Sequence, residues 1–230
     1  MAMKKLISTA IALVIALVAS VGTTAQTPLW DATRSGSEAA IQVQAGLNVS
    51  QFLHIPRWNK SKAGVNVGVM VEKPIFNSLS AKVGLFYTMK GGIGKNDAGF
   101  GGILTTTLNP GYLELPVMAS YRYALNSDIR LQFDFGPYFA IGLHGKDVKK
   151  NSGNGSFSKP TETEYELFGG DDPQMKRFDF GFRLGPQLVW KERFSVALAY
   201  EVSAMNVSNM GGKIGNSNFM INIGYTLCSF

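Results

Sequence analysis

A two-residue period of hydrophobicity runs through most of this chain and limits what it can fold into. Ile41, Val43, Ala45, Leu47 and Val49 alternate with Gln42, Gln44, Gly46, Asn48 and Ser50. The same alternation fills residues 65–71, 80–88, 113–123, 129–142, 178–188, 194–203 and 218–227. Successive side chains of a strand point to opposite faces, so this pattern predicts strands with one apolar and one polar face. No segment carries a helical stripe of i, i+3, i+4 spacing. Charged residues are 17%, against roughly 25% in ordinary soluble domains. With 15 Phe among 45% hydrophobic residues, disorder is excluded. One Cys excludes a disulfide framework and a cysteine-rich zinc site, and two His leave a metal- or His-centred enzyme poor in ligands. A net charge of +6 does not by itself point to nucleic acid.

The connections alternate in length. Residues 73–78, 124–128 and 191–193 are short, whereas 51–62, 91–108, 145–176 and 206–217 are long and rich in Gly, Asn, Ser and Lys. Short turns at one end and long loops at the other predict an all-β, closed, up-and-down antiparallel barrel of eight strands that crosses a membrane. Both termini then fall at the short-turn end. The 145–176 segment is long enough to hold an additional hairpin, which leaves ten strands open.

The N-terminus reads as an address. Lys4 and Lys5 precede an apolar run of ten residues, Ala10 to Ala19, and Thr23-Thr24-Ala25 supplies small residues before Gln26. That is the make-up of a cleavable signal peptide, and the run is half of what a membrane helix needs. The expected organisation is a signal peptide over 1–25, a short periplasmic segment over 26–38 and the barrel over 39–230. The only Cys is Cys228, so a lipoprotein anchor after cleavage is not expected.

Which face points inward decides between a membrane barrel and a soluble lipocalin-like carrier. An eight-stranded barrel has room inside for side chains and little more. The apolar set holds Phe133, Phe135, Phe139, Phe178, Phe180, Phe182, Phe194, Tyr200, Phe219 and Tyr225, which would overfill it. The other set is mainly Gly, Ser, Gln and Asn with nearly balanced charge. By parity Lys82, Lys90, Arg122, Arg130, Arg177 and Arg183 face Glu72, Glu114, Asp134, Asp179 and Glu201. These eleven residues are the expected lumen network, plugging the barrel, and the apolar set faces lipid. Tyr121, Tyr123, Trp190, Phe194 and Tyr225 fall at the short-turn ends with outward parity, as an interfacial aromatic girdle would. The chain ends in Phe230, which is out of phase with Tyr225 and Leu227. Pro116, Pro137 and Pro186 lie inside strands, and bulges or bends are expected there because Pro cannot donate to the ladder.

Several short motifs add a resemblance. They are Gly46-Leu47-Asn48-Val49-Ser50, residues 64–69, Tyr87-Thr88-Met89-Lys90-Gly91 and Tyr112-Leu113-Glu114-Leu115-Pro116, followed by Gly136-Pro137-Tyr138-Phe139 and Arg177-Phe178-Asp179-Phe180-Gly181. In this order the chain resembles the PorT-like outer-membrane β-barrel family of the Bacteroidetes group. The resemblance implies an eight-stranded barrel in a Gram-negative outer membrane. It also implies an accessory role in protein secretion or envelope assembly, since the founding member is linked to secretion.

Chemistry-bearing constellations are sparse. His144 has inward parity near the long-loop rim and His54 lies in the first long loop. Ser156 and Asp147 are the nearest partners for a triad, without fixed geometry. Gly91-Gly92-Ile93-Gly94-Lys95 lacks the spacing and following helix of a phosphate loop. Glu162, Glu164, Glu166, Asp171 and Asp172 lack EF-hand spacing and read as a solvated acidic loop. Lys146, Lys149, Lys150 and Lys159 are candidates for lipopolysaccharide phosphates. The expected function is structural or interactive, with no enzyme activity, catalytic residue, cofactor or metal, and no porin-like conductance. The expected partners are outer-membrane lipid, lipopolysaccharide and envelope or secretion proteins, not nucleic acid. Two alternatives stay open: a lipid-modifying barrel enzyme using His144, and the soluble periplasmic carrier.

Overall fold

The structure is a computed structural model that describes residues 39–53, 60–76, 78–99, 102–152, 161–169, 173–209 and 212–230. The expected signal peptide and the 26–38 segment lie outside these residues. Ten strands follow in order: β1 (Ala40–Leu53), β2 (Lys60–Phe76), β3 (Leu79–Met89), β4 (Gly92–Gly99), β5 (Gly102–Ala124), β6 (Ile129–Asn151), β7 (Thr161–Glu166), β8 (Phe178–Trp190), β9 (Phe194–Ser203) and β10 (Gly215–Ser229). Eight of them close an antiparallel ring in the order β1, β2, β3, β5, β6, β8, β9, β10, with β10 pairing back onto β1 from Ala40↔Ser229 to Leu53↔Gly215. The up-and-down barrel expected from the alternation is the observed fold.

The other two strands rise beyond the ring at the long-loop end. β4 continues β3 past Lys90-Gly91 and pairs with the upper part of β5. Gly91 makes that junction: its φ is +142°, and a Cβ there would lie 2.1 Å from the Leu108 carbonyl oxygen. β7 pairs with the upper part of β6, from Lys146↔Glu166 to Asn151↔Thr161. The 91–108 connection is therefore largely strand, and the extra hairpin left open for 145–176 is present.

The apolar set faces outward. Leu47, Val67, Leu85, Phe133, Phe135, Ile141, Phe182, Val196, Ile221 and Ile223 are exposed, while Gln44, Asn48, Lys82, Glu114, Gln132, Gln187, Asn218 and Asn222 are buried. A soluble lipocalin-like barrel has the opposite polarity, so the carrier alternative is not what the chain builds. On β8 the lipid-facing run extends from Phe178 to Trp190. Twelve steps of about 3.3 Å, tilted by about 45°, span about 28 Å, close to the apolar band of an outer membrane.

Bulges do not fall where the prolines led us to expect them. The β3–β5 register passes from Val83↔Val117 to Phe86↔Glu114 without a shift, and only the pairs opposite Pro116 and Leu115 drop out. Around Pro137 the β5–β6 register keeps phase from Pro116↔Tyr138 to Ala119↔Phe135, and around Pro186 β8–β9 keeps phase from Leu184↔Tyr200 to Gln187↔Ala197. A missing N–H removes local ladder bonds but forces no extra residue into the strand. True register shifts occur elsewhere, between Ile41 and Gln42, Pro74 and Phe76, Asp97 and Gly99, and Gly111 and Tyr112. The first explains the C-terminus. Ile41 pairs with Cys228 but Gln42 with Thr226, so Leu227 is an extra residue and Phe230 returns to the exposed face.

Candidate functional site

The barrel interior is the most elaborate polar assembly in the molecule, and it is layered. At the short-turn end Lys82 is the hub. Its Nζ lies 2.9 Å from Asp134 Oδ1 and donates to Gln132 Oε1 at 2.9 Å and Gln187 Oε1 at 2.7 Å. Glu72 accepts from Ser80 Oγ at 2.7 Å and Gln132 Nε2 at 2.9 Å. Gln187 Nε2 donates to Gln42 Oε1 at 3.0 Å, which carries the network across to β1. Below this layer Arg122 Nη2 reaches the Phe76 carbonyl oxygen at 3.4 Å, and Arg130 pairs with Glu192. Glu192 sits in the turn after β8, where Lys191 and Glu192 both have positive φ, 51° and 56°. The turn closes by Arg193 N donating to the Trp190 carbonyl at 3.1 Å, with the backbone of a type I′ turn.

Above Lys82 lies a small apolar layer of Met70, Phe86 and Met118. Above that is a second ionic layer. Lys90 Nζ lies 2.5 Å from Glu114 Oε1 and 3.1 Å from Glu201 Oε2, and 4.4 Å from the Tyr138 ring centroid. Glu201 also meets Arg183 at 3.6 Å, and Arg183 lies over the Phe86 ring. Asp179 accepts from Ser203 Oγ at 2.5 Å, Asn216 Nδ2 at 2.8 Å and the Tyr138 hydroxyl at 3.2 Å, tying β8, β9, β10 and β6 together. Alternating parity turns these groups inward, and closure of the ring brings β9 to face the paired β3 and β5.

The top layer was not visible in the alternation. Leu167, Phe168 and Met175 from the segment after β7, and Val207 and Ile214 from the loop before β10, fold inward onto Phe52, Leu108, Tyr112, Tyr138 and Ala140. Leu108, Leu167 and Val207 are fully buried. The available signal was five large apolar residues inside loops otherwise rich in polar residues and glycine.

Of the eleven residues expected in the lumen, ten are placed there and Arg177 is not. It is exposed at the mouth, one step above Phe178: its carbonyl accepts from Gly142 N, its Nη1 donates to the Gly142 carbonyl at 3.0 Å, and its guanidinium lies over the Phe168 ring of the cap. His144 is a second correction. Gly111 pairs with His144 but Tyr112 with Gly142, so Leu143 is an extra residue and His144 turns to the outside. There its Nε2 is 2.9 Å from the Tyr87 hydroxyl and the rings stack at 5.9 Å. Gly111 allows that contact across β5, since a Cβ there would meet His144 Nε2 and the Tyr87 hydroxyl, each at 2.8 Å. Asp147 is buried on the opposite face, and His54 and Ser156 lie outside the described residues, so no triad forms among the described residues.

The five girdle aromatics lie at the short-turn rim. Trp190 and Phe194 approach to 5.9 Å between centroids, and Phe194 and Tyr225 to 5.3 Å. Tyr121 is exposed and Tyr123 half-buried on β5. On the far side, the four-stranded sheet of β4, β5, β6 and β7 pairs charges across strands: Lys146 with Glu164 at 2.7 Å and Lys150 with Glu162 at 2.9 Å. Lys149 lies 3.4 Å from Asp147. Three of the four lysines proposed for lipopolysaccharide are thus already paired; Lys159, Asp171 and Asp172 lie outside the described residues. Burial raises the Asp147 carboxyl above its ordinary range, against the opposing pull of Lys149. Its hydrogen bond and ion pair with Glu164 raise the Lys146 ammonium. Among the described residues no cluster of His, Cys, Asp and Glu could hold a metal ion.

A ring of strands with apolar outer walls and a polar, charged interior defines an integral membrane barrel. The family described as outer membrane protein beta-barrel domain matches residues 24–209, and the chain belongs to it. No curated protein matches the chain. Among solved structures it is similar to the attachment invasion locus protein Ail of Yersinia pestis in complex with the heparin analogue sucrose octasulfate, at 14% identity and TM-score 0.43, covering 83% of this chain and 98% of that one. It is likewise similar to Neisserial surface protein A, at 10% identity and TM-score 0.44, covering 82% and 99%. The outer membrane enzyme PagL follows at 15% identity and TM-score 0.38, covering 80% and 98%.

Proposed function

We propose that this protein is a sealed outer-membrane barrel whose work is structural and interactive rather than conductive or catalytic. The supporting observation is the continuous stack of side chains from the Arg130–Glu192 pair, through both ionic layers, to the apolar cap of Leu167, Phe168, Met175, Val207 and Ile214. The test is reconstitution in planar bilayers. The expected result is no stable conductance steps, and large steps from the folded barrel would overturn the reading. The non-catalytic part is supported by His144 being partnered by Tyr87 instead of a hydroxyl nucleophile and an acid.

The partners follow from the surfaces. The apolar wall meets lipid, the outer rim meets lipopolysaccharide, and the raised four-stranded sheet is the surface offered to other envelope proteins. The finer resemblance to the PorT-like branch adds a role in secretion across a Gram-negative outer membrane. Under that reading, a strain lacking the protein retains secreted cargo in the periplasm; unchanged export would remove it. Export through a cleaved signal peptide is tested by N-terminal sequencing of the mature protein, expected to begin at Gln26.

A further inference from the structure

We infer that the outer edge of β7 docks an extended segment of another polypeptide that carries Lys or Arg at every second position. This rests on the reading of the raised sheet as the surface offered to envelope proteins, and adds the edge and the chemistry of the partner. β7 is the last strand of the sheet and pairs with β6 alone among the described residues. All six of its residues, Thr161–Glu166, are exposed. Its ladder with β6 runs without a shift from Lys146↔Glu166 to Asn151↔Thr161. The phase of that ladder shows which backbone groups are open. Leu167 N donates to the Gly145 carbonyl at 3.0 Å, in the same register. Bonded and non-bonded pairs alternate along an antiparallel ladder. Thr163 and Tyr165 therefore turn their N–H and C=O groups to β6, and Glu162 and Glu164 turn theirs to the open edge. Six residues at about 3.3 Å each offer about 20 Å of edge, the length of a typical strand.

The charges select the occupant. Glu162, Glu164 and Glu166 share one face of β7, since side chains alternate along a strand. Lys150 holds Oε1 of Glu162 at 2.9 Å and Lys146 holds Oε2 of Glu164 at 2.7 Å, which leaves the second oxygen of each carboxylate to a further donor. Glu166, opposite Lys146 in the ladder, has no ion pair among the described residues. A second copy of this chain brings no cation to the edge in either direction. Antiparallel pairing sets Glu beside Glu and inverts one barrel relative to the membrane, and like charges directly opposite destabilise a sheet. Parallel pairing of two upright barrels turns the faces and sets Glu beside Thr or Tyr. A foreign strand with alternate Lys or Arg meets three carboxylates on one face. Its intervening residues meet Thr161, Thr163 and Tyr165 on the other, where Lys149 lies 4.7 Å from the Tyr165 ring centroid. Main-chain bonds then give affinity and alternate side chains give selectivity, as in strand addition to other open sheet edges.

The test uses the full-length folded barrel in detergent. Three synthetic peptides are titrated in parallel: one alternating lysine with threonine, one alternating glutamate with threonine, and the lysine peptide with every second amide N-methylated. Binding is read by calorimetry and by hydrogen exchange along β7. The lysine peptide is expected to bind and to protect the Glu162 and Glu164 amides. N-methylation and Glu164→Pro each remove main-chain bonds at the edge and are expected to weaken binding about tenfold. Proline at 164 spares the β6 ladder because the N–H it removes points outward. Glu164→Gln keeps the N–H, loses the charge and is expected to weaken binding several-fold, which separates the two contributions. Heat-modifiable gel mobility reports that each variant is folded. Equal binding of the glutamate or the N-methylated peptide, undiminished binding by Glu164→Pro, or dimers of the barrel cross-linked through β7 would overturn the proposal. Protection on β4 or β5 in place of β7 would overturn the edge while leaving the raised sheet as the protein-facing surface. Conductance is measured on the same samples, so a leaky barrel and a failed docking edge give different results.

Discussion

Lys90→Met is the sharpest probe of the interior. The ammonium is fully buried, 2.5 Å from Glu114 and 3.1 Å from Glu201, both as buried as Lys90 itself. Removing one member of a buried ionic group costs about 3–5 kcal/mol, because the remaining charges keep their desolvation penalty and lose their compensation. Here Glu114 loses its cation, Glu201 keeps only Arg183, and the Tyr138 face loses its cation. We therefore expect a loss of about 4 kcal/mol, a large share of the roughly 5–15 kcal/mol that holds a typical fold together. Methionine fills most of the lysine stem, so little of the loss comes from a cavity. Urea unfolding of the barrel in lipid vesicles, followed by heat-modifiable mobility, measures it. The double variant Lys90→Met, Glu114→Gln removes one cation and one carboxylate while Glu201 keeps its pair with Arg183, and is expected to recover most of the stability. A single variant within about 1 kcal/mol of wild type, or a double variant no better than the single one, would refute the reasoning.

Three further outcomes follow from the same structure. Phe168→Ala hollows the cap over the mouth and is expected to cost about 3 kcal/mol, with a matching rise in hydrogen exchange of the 204–214 loop. Lys191→Asn suits the left-handed φ of 51° better than lysine and should stabilise the barrel by about 0.5 kcal/mol in urea unfolding, provided Glu192 keeps its bond to Arg130. Asp147 has a raised carboxyl pKa, so the folded chain holds its proton more tightly than the unfolded one. The stability from this group is fully present below the ordinary value of 3.8 and is lost as pH rises through the raised one. Asp147→Asn should remove that slope from the exchange protection of β6 and β7; an unchanged slope would contradict the assignment.

Much of the barrel was legible because lipid enforces a simple rule: every second side chain must be apolar. The lumen residues Lys82, Lys90, Glu114 and Glu201 could be listed from parity alone. Their pairing could not be, since Lys90, just past β3, also reaches Glu201 on β9, a contact fixed only by ring closure. The cap was illegible for a different reason. Leu167, Phe168, Met175, Val207 and Ile214 sit in irregular segments, where no period marks which way a side chain turns.

Two of the parity errors share one physical cause. His144 and Phe230 were assigned the wrong phase because one extra residue, Leu143 or Leu227, precedes each. All four register shifts lie near the ends of the ring strands or beyond them: Ile41/Gln42 and Pro74/Phe76 at the short-turn rim, Gly111/Tyr112 and Asp97/Gly99 at or above the outer one. A bulge leaves backbone groups unpaired, and within hydrocarbon no water can satisfy them. Even Pro116, Pro137 and Pro186, which remove ladder bonds inside the band, leave the register intact. Counting by two is therefore trustworthy between the rims and fails at them, and the rims are where the chain meets headgroups and the aqueous phase. The residues that sequence parity misplaced, His144 and Arg177, both belong to the outer rim.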